Sequence, residues 1–172
     1  MNNRKQAKIG SVFVCCGKTY VGQHYKNVLD LESTPFNYVL TQEQKKLSSE
    51  QLKGTRKIKN DKFLQDYMAA VKENIYKYDV ILVAPGRSIR EALRQNGLPY
   101  FVVYPSSDCK EEYVLRARNR GNAEHFVDRI ASEFVSDDML SDSWAQHYVL
   151  GKGEYLEDLL LRLKLINKKD KV

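Results

Sequence analysis

Ser11-Val12-Phe13-Val14-Cys15-Cys16-Gly17-Lys18-Thr19 is the stretch on which the reading of this chain turns. An apolar run over residues 9–14 leads into it and Gly-Lys-Thr closes it. A buried strand, a tight turn and a helix start is the order of a phosphate-binding loop. Its backbone N–H groups point at phosphate oxygens, its lysine reaches the outer phosphates, and its threonine hydroxyl holds Mg²⁺. The full motif has a glycine five positions before the second one. Here Val12 stands there, and Gly10 comes two residues too early. Gly-Lys-Thr alone is also what an ordinary strand–turn–helix can carry, so the flanking sequence has to decide.

Downstream, residues 19–25 read as the helix leaving the loop, and residues 28–33 as a second strand with Asp30 and Glu32 at its end, stopped by Pro35. Residues 41–60 are polar and basic, with an exposed helix expected over 42–52. Phe63, Tyr67, Val71 and Ile75 recur every four residues and predict a helix over 61–76. Asp79-Val80-Ile81-Leu82-Val83-Ala84 is the clearest strand, followed by a Pro85-Gly86-Arg87 turn. Ser88-Ile89-Arg90-Glu91 has the form of a capping box. Gly97 and Pro99 end that helix before a strand over 100–104. Helices over 110–120 and 123–135, a strand over 147–150 and a helix over 155–165 complete the chain. Apolar strands alternating with helices imply an α/β fold, with a parallel sheet covered on both faces. Ligands then bind beyond the carboxyl ends of the strands, where Lys18, Asp30, Arg87 and Pro105 fall.

Composition narrows the classes. At 172 residues, 42% hydrophobic and 29% charged, the chain is long enough for one domain with a real core. No apolar run approaches the ~20 residues of a membrane span, and the polar start has no signal-peptide core; a cytoplasmic protein is expected. Three cysteines make neither a disulfide framework nor a zinc site. A net charge of +6 suits an anionic partner. Residues 168–171 read as a solvated tail. No aromatic–basic motif of a nucleic-acid module is visible, so free nucleotide is the expected partner and nucleic acid is not. Trp144 is expected to pack on the last strand. No heptad seam or apolar patch asks for more than a monomer or homodimer.

The stretch from 79 to 130 resembles the second half of the phage-type P-loop (deoxy)nucleoside monophosphate kinases, which are adenylate/thymidylate kinase-like. The residues that carry the resemblance are Arg90-Glu91-Ala92-Leu93, Gly97-Leu98-Pro99, Tyr104-Pro105, Lys110-Glu111-Glu112-Tyr113 and Arg120-Gly121-Asn122, together with Gly17-Lys18-Thr19 and Asp30-Leu31-Glu32-Ser33. The resemblance covers roughly residues 8–165. It implies a P-loop NTPase three-layer fold with a five-stranded parallel sheet. A single domain over 1–172 would carry an acceptor-binding insertion at about 34–78 and a lid at about 106–122. The implied reaction moves the γ-phosphoryl of ATP to a nucleoside monophosphate with Mg²⁺, in a phage-encoded enzyme of the host cytoplasm. One departure stands out: family loops read Phe-Pro-Gly-x-Gly-Lys-Ser/Thr, whereas Val14 and Cys15 replace Pro-Gly here. A positive φ at Cys15 would carry strain that glycine avoids.

The resemblance assigns Cys15, Cys16, Gly17, Lys18 and Thr19 to the ATP phosphates, with Arg116 and Arg120 from the lid; helical spacing puts those two arginines on one face and Arg118 away from it. Asp30, Glu32, Ser33 and Arg87 are the acceptor candidates, Arg87 by a bidentate grip on phosphate. Thr19 and Asp30 are the Mg²⁺ candidates, because no aspartate ends the strand over 79–84. The catalytic set is thus Lys18, Asp30, Arg87, Arg116 and Arg120. Arg90 is expected on an exposed helix face, and Arg56, Lys57 and Lys59 on a solvated loop. Two other functions stay open: a non-catalytic or weakly active P-loop nucleotide-binding protein, and a polynucleotide 5′-kinase.

Overall fold

The computed structural model describes residues 5–47, 51 and 55–172. Its core is a five-stranded sheet in which every pairing is parallel, in the order β2-β5-β1-β6-β7. The strands are β1 (Lys8–Val12), β2 (Val28–Asp30), β5 (Val80–Val83), β6 (Tyr100–Pro105) and β7 (Gln146–Leu150). All four residues of β5 are buried, as a continuous apolar run in a central strand requires. The two remaining strands, β3 (Tyr38–Val39) and β4 (Ile58–Lys59), form a separate antiparallel ribbon.

Seven helices flank the sheet among the described residues: α1 (Lys18–His24), α2 (Phe63–Asn74), α3 (Arg87–Gln95), α4 (Lys110–Asn119), α5 (Glu124–Ser132), α6 (Asp137–Leu140) and α7 (Leu156–Arg162). From β1 the chain moves one way to β2, whereas the later crossover from β5 moves the other way to β6. Crossovers of the usual right hand put such links on opposite faces. In keeping with this, α1 packs with α7, and α2 with α3. The reversal of direction at β1 leaves a crevice beyond its carboxyl end, and that end runs straight into Phe13 to Gly17.

Four local expectations are corrected. Ser88 does not cap α3: the helix begins one residue earlier, with Gly86 extended (φ −61°, ψ 137°) as its N-cap. Arg90 is buried rather than exposed. Trp144 stands open to solvent. The basic tail is docked as well as solvated: Lys168, Lys169 and Lys171 are exposed, yet Lys171 bridges to Tyr25, its Nζ donates to Tyr20 Oη (2.8 Å) and Glu157 Oε1 (2.9 Å), and the Val172 N–H donates to His24 O (2.8 Å). The helix expected over 42–52 lies partly outside the described residues; Gln44–Lys46 within it form a 3₁₀ turn. No helix among the described residues is long and apolar enough to cross a membrane.

Candidate active site

The loop after β1 is held from below and left open above. The Phe13 N–H still pairs with Val103 O (2.8 Å), and Cys16 O accepts from Leu156 N–H at the start of α7 (2.8 Å). Among the described residues, no backbone N–H from Val14 to Tyr20 donates to a protein acceptor. Seven successive donors without partners make a positively polarised mouth, the arrangement that binds anions. Gly17 takes φ +96° and Cys15 takes φ +60°. The positive φ at Cys15 is the strain expected of a non-glycine residue there.

Lys18 crosses the mouth. Its Nζ pairs with Asp30 Oδ1 and lies 3.3 Å from Glu32 Oε1. Gly22 permits this geometry, since a Cβ there would lie 2.5 Å from Asp30 Cβ. The close approach of α1 to β2 therefore needs glycine, a signal the sequence reading did not use. Burial pushes the Asp30 carboxyl above its ordinary value; the hydrogen bond and charge of Lys18 oppose this, and the Glu32 charge adds to it. Ser33 opens a 3₁₀ turn, its carbonyl accepting from Phe36 N–H (3.0 Å).

On the other side of the loop, Cys15, Gly17, Thr19, Arg116, Arg120 and Tyr155 line part of a hollow of about 390 Å³. Arg116 and Arg120 both face it, and Arg118 is exposed. Arg116 is fully engaged: it donates to Cys15 O (3.3 Å) and Glu154 O (3.0 Å), pairs with Glu112, and lies 3.8 Å over the Tyr155 ring. These contacts tie α4 to the loop and to the residues before α7. Arg120 stays exposed, with Nη1 3.8 Å from Cys15 Sγ. Tyr155, which the sequence reading did not single out, floors the loop; a Cβ at Gly17 would come within 3.3 Å of its ring. Cys109, Tyr113 and Ala117 are fully buried, so the segment expected as a lid is rooted in the core along most of α4.

Burial raises the Cys15 thiol pKa against the nearby Arg120, and raises that of Cys16 to about 12, where Tyr113 Oη lies 3.4 Å away. Both are free, protonated thiols at neutral pH.

Arg87 is not brought to this place. As the first helical residue of α3 it pairs with Glu91 one turn on (2.8 Å), its side chain 72% exposed, and it lines a different hollow between α3 and the residues after α6. The helix start at Arg87 instead of Ser88 is the physical reason: the i,i+4 carboxylate takes the guanidinium. The structure thus gathers Cys15, Cys16, Gly17, Lys18, Thr19, Asp30, Glu32, Arg116 and Arg120 around the loop, with Ser33 at its margin, and leaves Arg87 out.

A Mg²⁺ ion would find hard oxygen donors here, the Thr19 hydroxyl and the Asp30 and Glu32 carboxylates. That set suits an ion that keeps most of its waters and takes one or two carboxylates beside substrate phosphates. No denser cluster of metal-ligating side chains occurs among the described residues. Comparison of the chain with family models, with curated proteins and with solved structures gave no match.

Proposed function

We propose that the protein is a P-loop kinase that transfers the γ-phosphoryl group of Mg·ATP to a (deoxy)nucleoside monophosphate. One observation carries this reading: Lys18, at the mouth of a loop with unpartnered N–H groups, is held by two carboxylates at the neighbouring end of β2. Phosphoryl transfer needs positioning and positive charge more than covalent chemistry. The loop N–H groups bind and orient the phosphates. Lys18 leaves Asp30 and Glu32 to meet the phosphoryl oxygens, and Arg120 adds a second mobile charge from the facing helix. Arg116 keeps the loop in shape through Cys15 O. Thr19 and the carboxylates that Lys18 releases would hold Mg²⁺, which would supply charge neutralisation at the phosphates. Asp30 would also orient the acceptor.

The test is ADP release from Mg·ATP with each common NMP and dNMP, beside Lys18→Ala. Turnover on one acceptor, lost in Lys18→Ala, is expected. ATP binding without turnover on any acceptor would instead favour a nucleotide-binding protein, a reading to which the positive φ at Cys15 gives some support.

A further inference from the structure

The ribbon formed by β3 and β4 carries a combination of side chains that the linear sequence hides. Tyr38 pairs with Lys59 across the ribbon and Val39 with Ile58. Side chains alternate along a strand, so Tyr38, Lys59 and Lys57 share one face. Lys57 Nζ indeed lies over the Tyr38 ring, 5.2 Å from its centroid. Tyr38, Val39 and Ile58 are all exposed, Ile58 at 62%. Three large apolar side chains open to water on two two-residue strands are not explained by the ribbon's own packing.

The same place is basic. Residues 34–62 hold seven lysines and arginines against three acidic residues, a net +4 out of the chain's +6. An aromatic ring flanked by cations in a local positive field is the surface on which a single nucleic-acid strand stacks a base and lays its phosphates. An acidic peptide would use the charge and not the ring.

The ribbon's base is anchored close to Lys18. Tyr67 Oη donates to Leu31 O (2.5 Å), Phe36 packs edge-on against Tyr67 with centroids 5.2 Å apart, and Asn60 donates from its side chain to Phe36 O and from its backbone to Asn37 O (both 2.9 Å). Five residues lie between Glu32 and Tyr38, so six steps of chain, at most about 20 Å, join them.

We propose that the Tyr38–Lys57–Lys59 face of the ribbon binds a single-stranded polynucleotide. Tyr38 stacks on a base, and Lys57 and Lys59 contact backbone phosphates. The proposal goes beyond phosphoryl transfer and makes no use of ATP, so its failure leaves that reading untouched.

The experiment is fluorescence anisotropy of a 3′-labelled twelve-residue oligo(dT) without nucleotide, between 50 and 200 mM salt. Binding that weakens with salt is expected. Lys57→Gln/Lys59→Gln should reduce the log–log salt slope by about 1.4, two phosphates at ~0.7 each. Tyr38→Ala should weaken binding about fivefold to a hundredfold, with Tyr38→Phe close to wild type. All substituted side chains reach the surface, and unchanged thermal melting verifies that the variants fold. No binding at 50 mM salt, an unchanged slope in the double variant, or an unchanged Kd in Tyr38→Ala would each overturn the proposal. So would displacement by poly-glutamate of equal charge at the concentrations at which unlabelled oligo(dT) displaces the probe.

Discussion

Lys18 and Arg90 each sit between two carboxylates, yet the two clusters are built for opposite ends. Arg90, 3% exposed, spends Nε on Asp142 (2.9 Å), Nη2 on Asp138 and Nη1 on Pro85 O. Asp142 also accepts from Tyr100 Oη (2.7 Å). That network ties α3 to α6 and to the segment between α6 and β7, and breaking it leaves the largely buried Asp142 charge without its cation. Lys18, 15% exposed, shares one partner, Glu32, with open solvent and faces a row of N–H groups without acceptors. The first cluster is complete within the protein. The second is complete only with an anion. Even the carboxyls differ: burial wins at Asp30 and raises it, whereas at Asp138 the Ser136 hydroxyl and Arg90 outweigh burial and lower it.

The largest effect that follows is on stability. Arg90→Met should cost about 3–5 kcal/mol in denaturant unfolding, since it strands the largely buried Asp142. A loss under about 1 kcal/mol would remove the distinction between the two clusters. Lys18→Ala should lower turnover on the acceptor by roughly 10²–10³, the usual cost of one lost donor to transition-state charge. It should cost less than about 2 kcal/mol of stability, because Glu32 is solvated and Asp30 can take up a proton. Comparable destabilisation by both variants would make Lys18 a second lock. Gly22→Ala sharpens the local claim. Its Cβ must displace Asp30, at a cost of about 1–3 kcal/mol on overpacking grounds, with a lower Tm to show it.

The smallest effect is on pH dependence, and its sign separates the clusters. A lowered carboxyl stabilises the fold above its unfolded pKa, and that contribution is lost as pH falls through its folded value. Asp138→Asn should therefore flatten the acid limb of a Tm profile below about pH 4. Asp30 is raised, so protonation relieves a penalty as pH falls. Asp30→Asn removes that relief and should steepen the limb.

Much of this was legible in the sequence, for reasons that can be named. The strands were, because runs such as Val80-Ile81-Leu82-Val83 are apolar on both faces. Lys18, Asp30 and Glu32 were, because each falls where a strand ends. The order β2-β5-β1-β6-β7 was not read from the sequence, since pairing depends on contacts far apart in the chain. Arg90 looked like a surface residue because its partners lie 48 and 52 positions away. Its burial has no local signature. Tyr155 was missed for the same reason: Arg116 and Gly17 reach it only through the closing of α7 on the loop. Ser88 misled because Gly86 already turns the chain into the helix. Tyr38 and Lys57, nineteen residues apart, meet only by antiparallel pairing, so no aromatic–basic motif could be seen.

The most direct test of the central claim is calorimetric titration of Mg·ATP into the wild type and into Lys18→Ala, with Tm measured on both. Saturable one-site binding by the wild type and at least a tenfold weaker Kd in the variant, with the fold intact, are expected. Equal affinity in the two proteins, or no binding by the wild type, would contradict it.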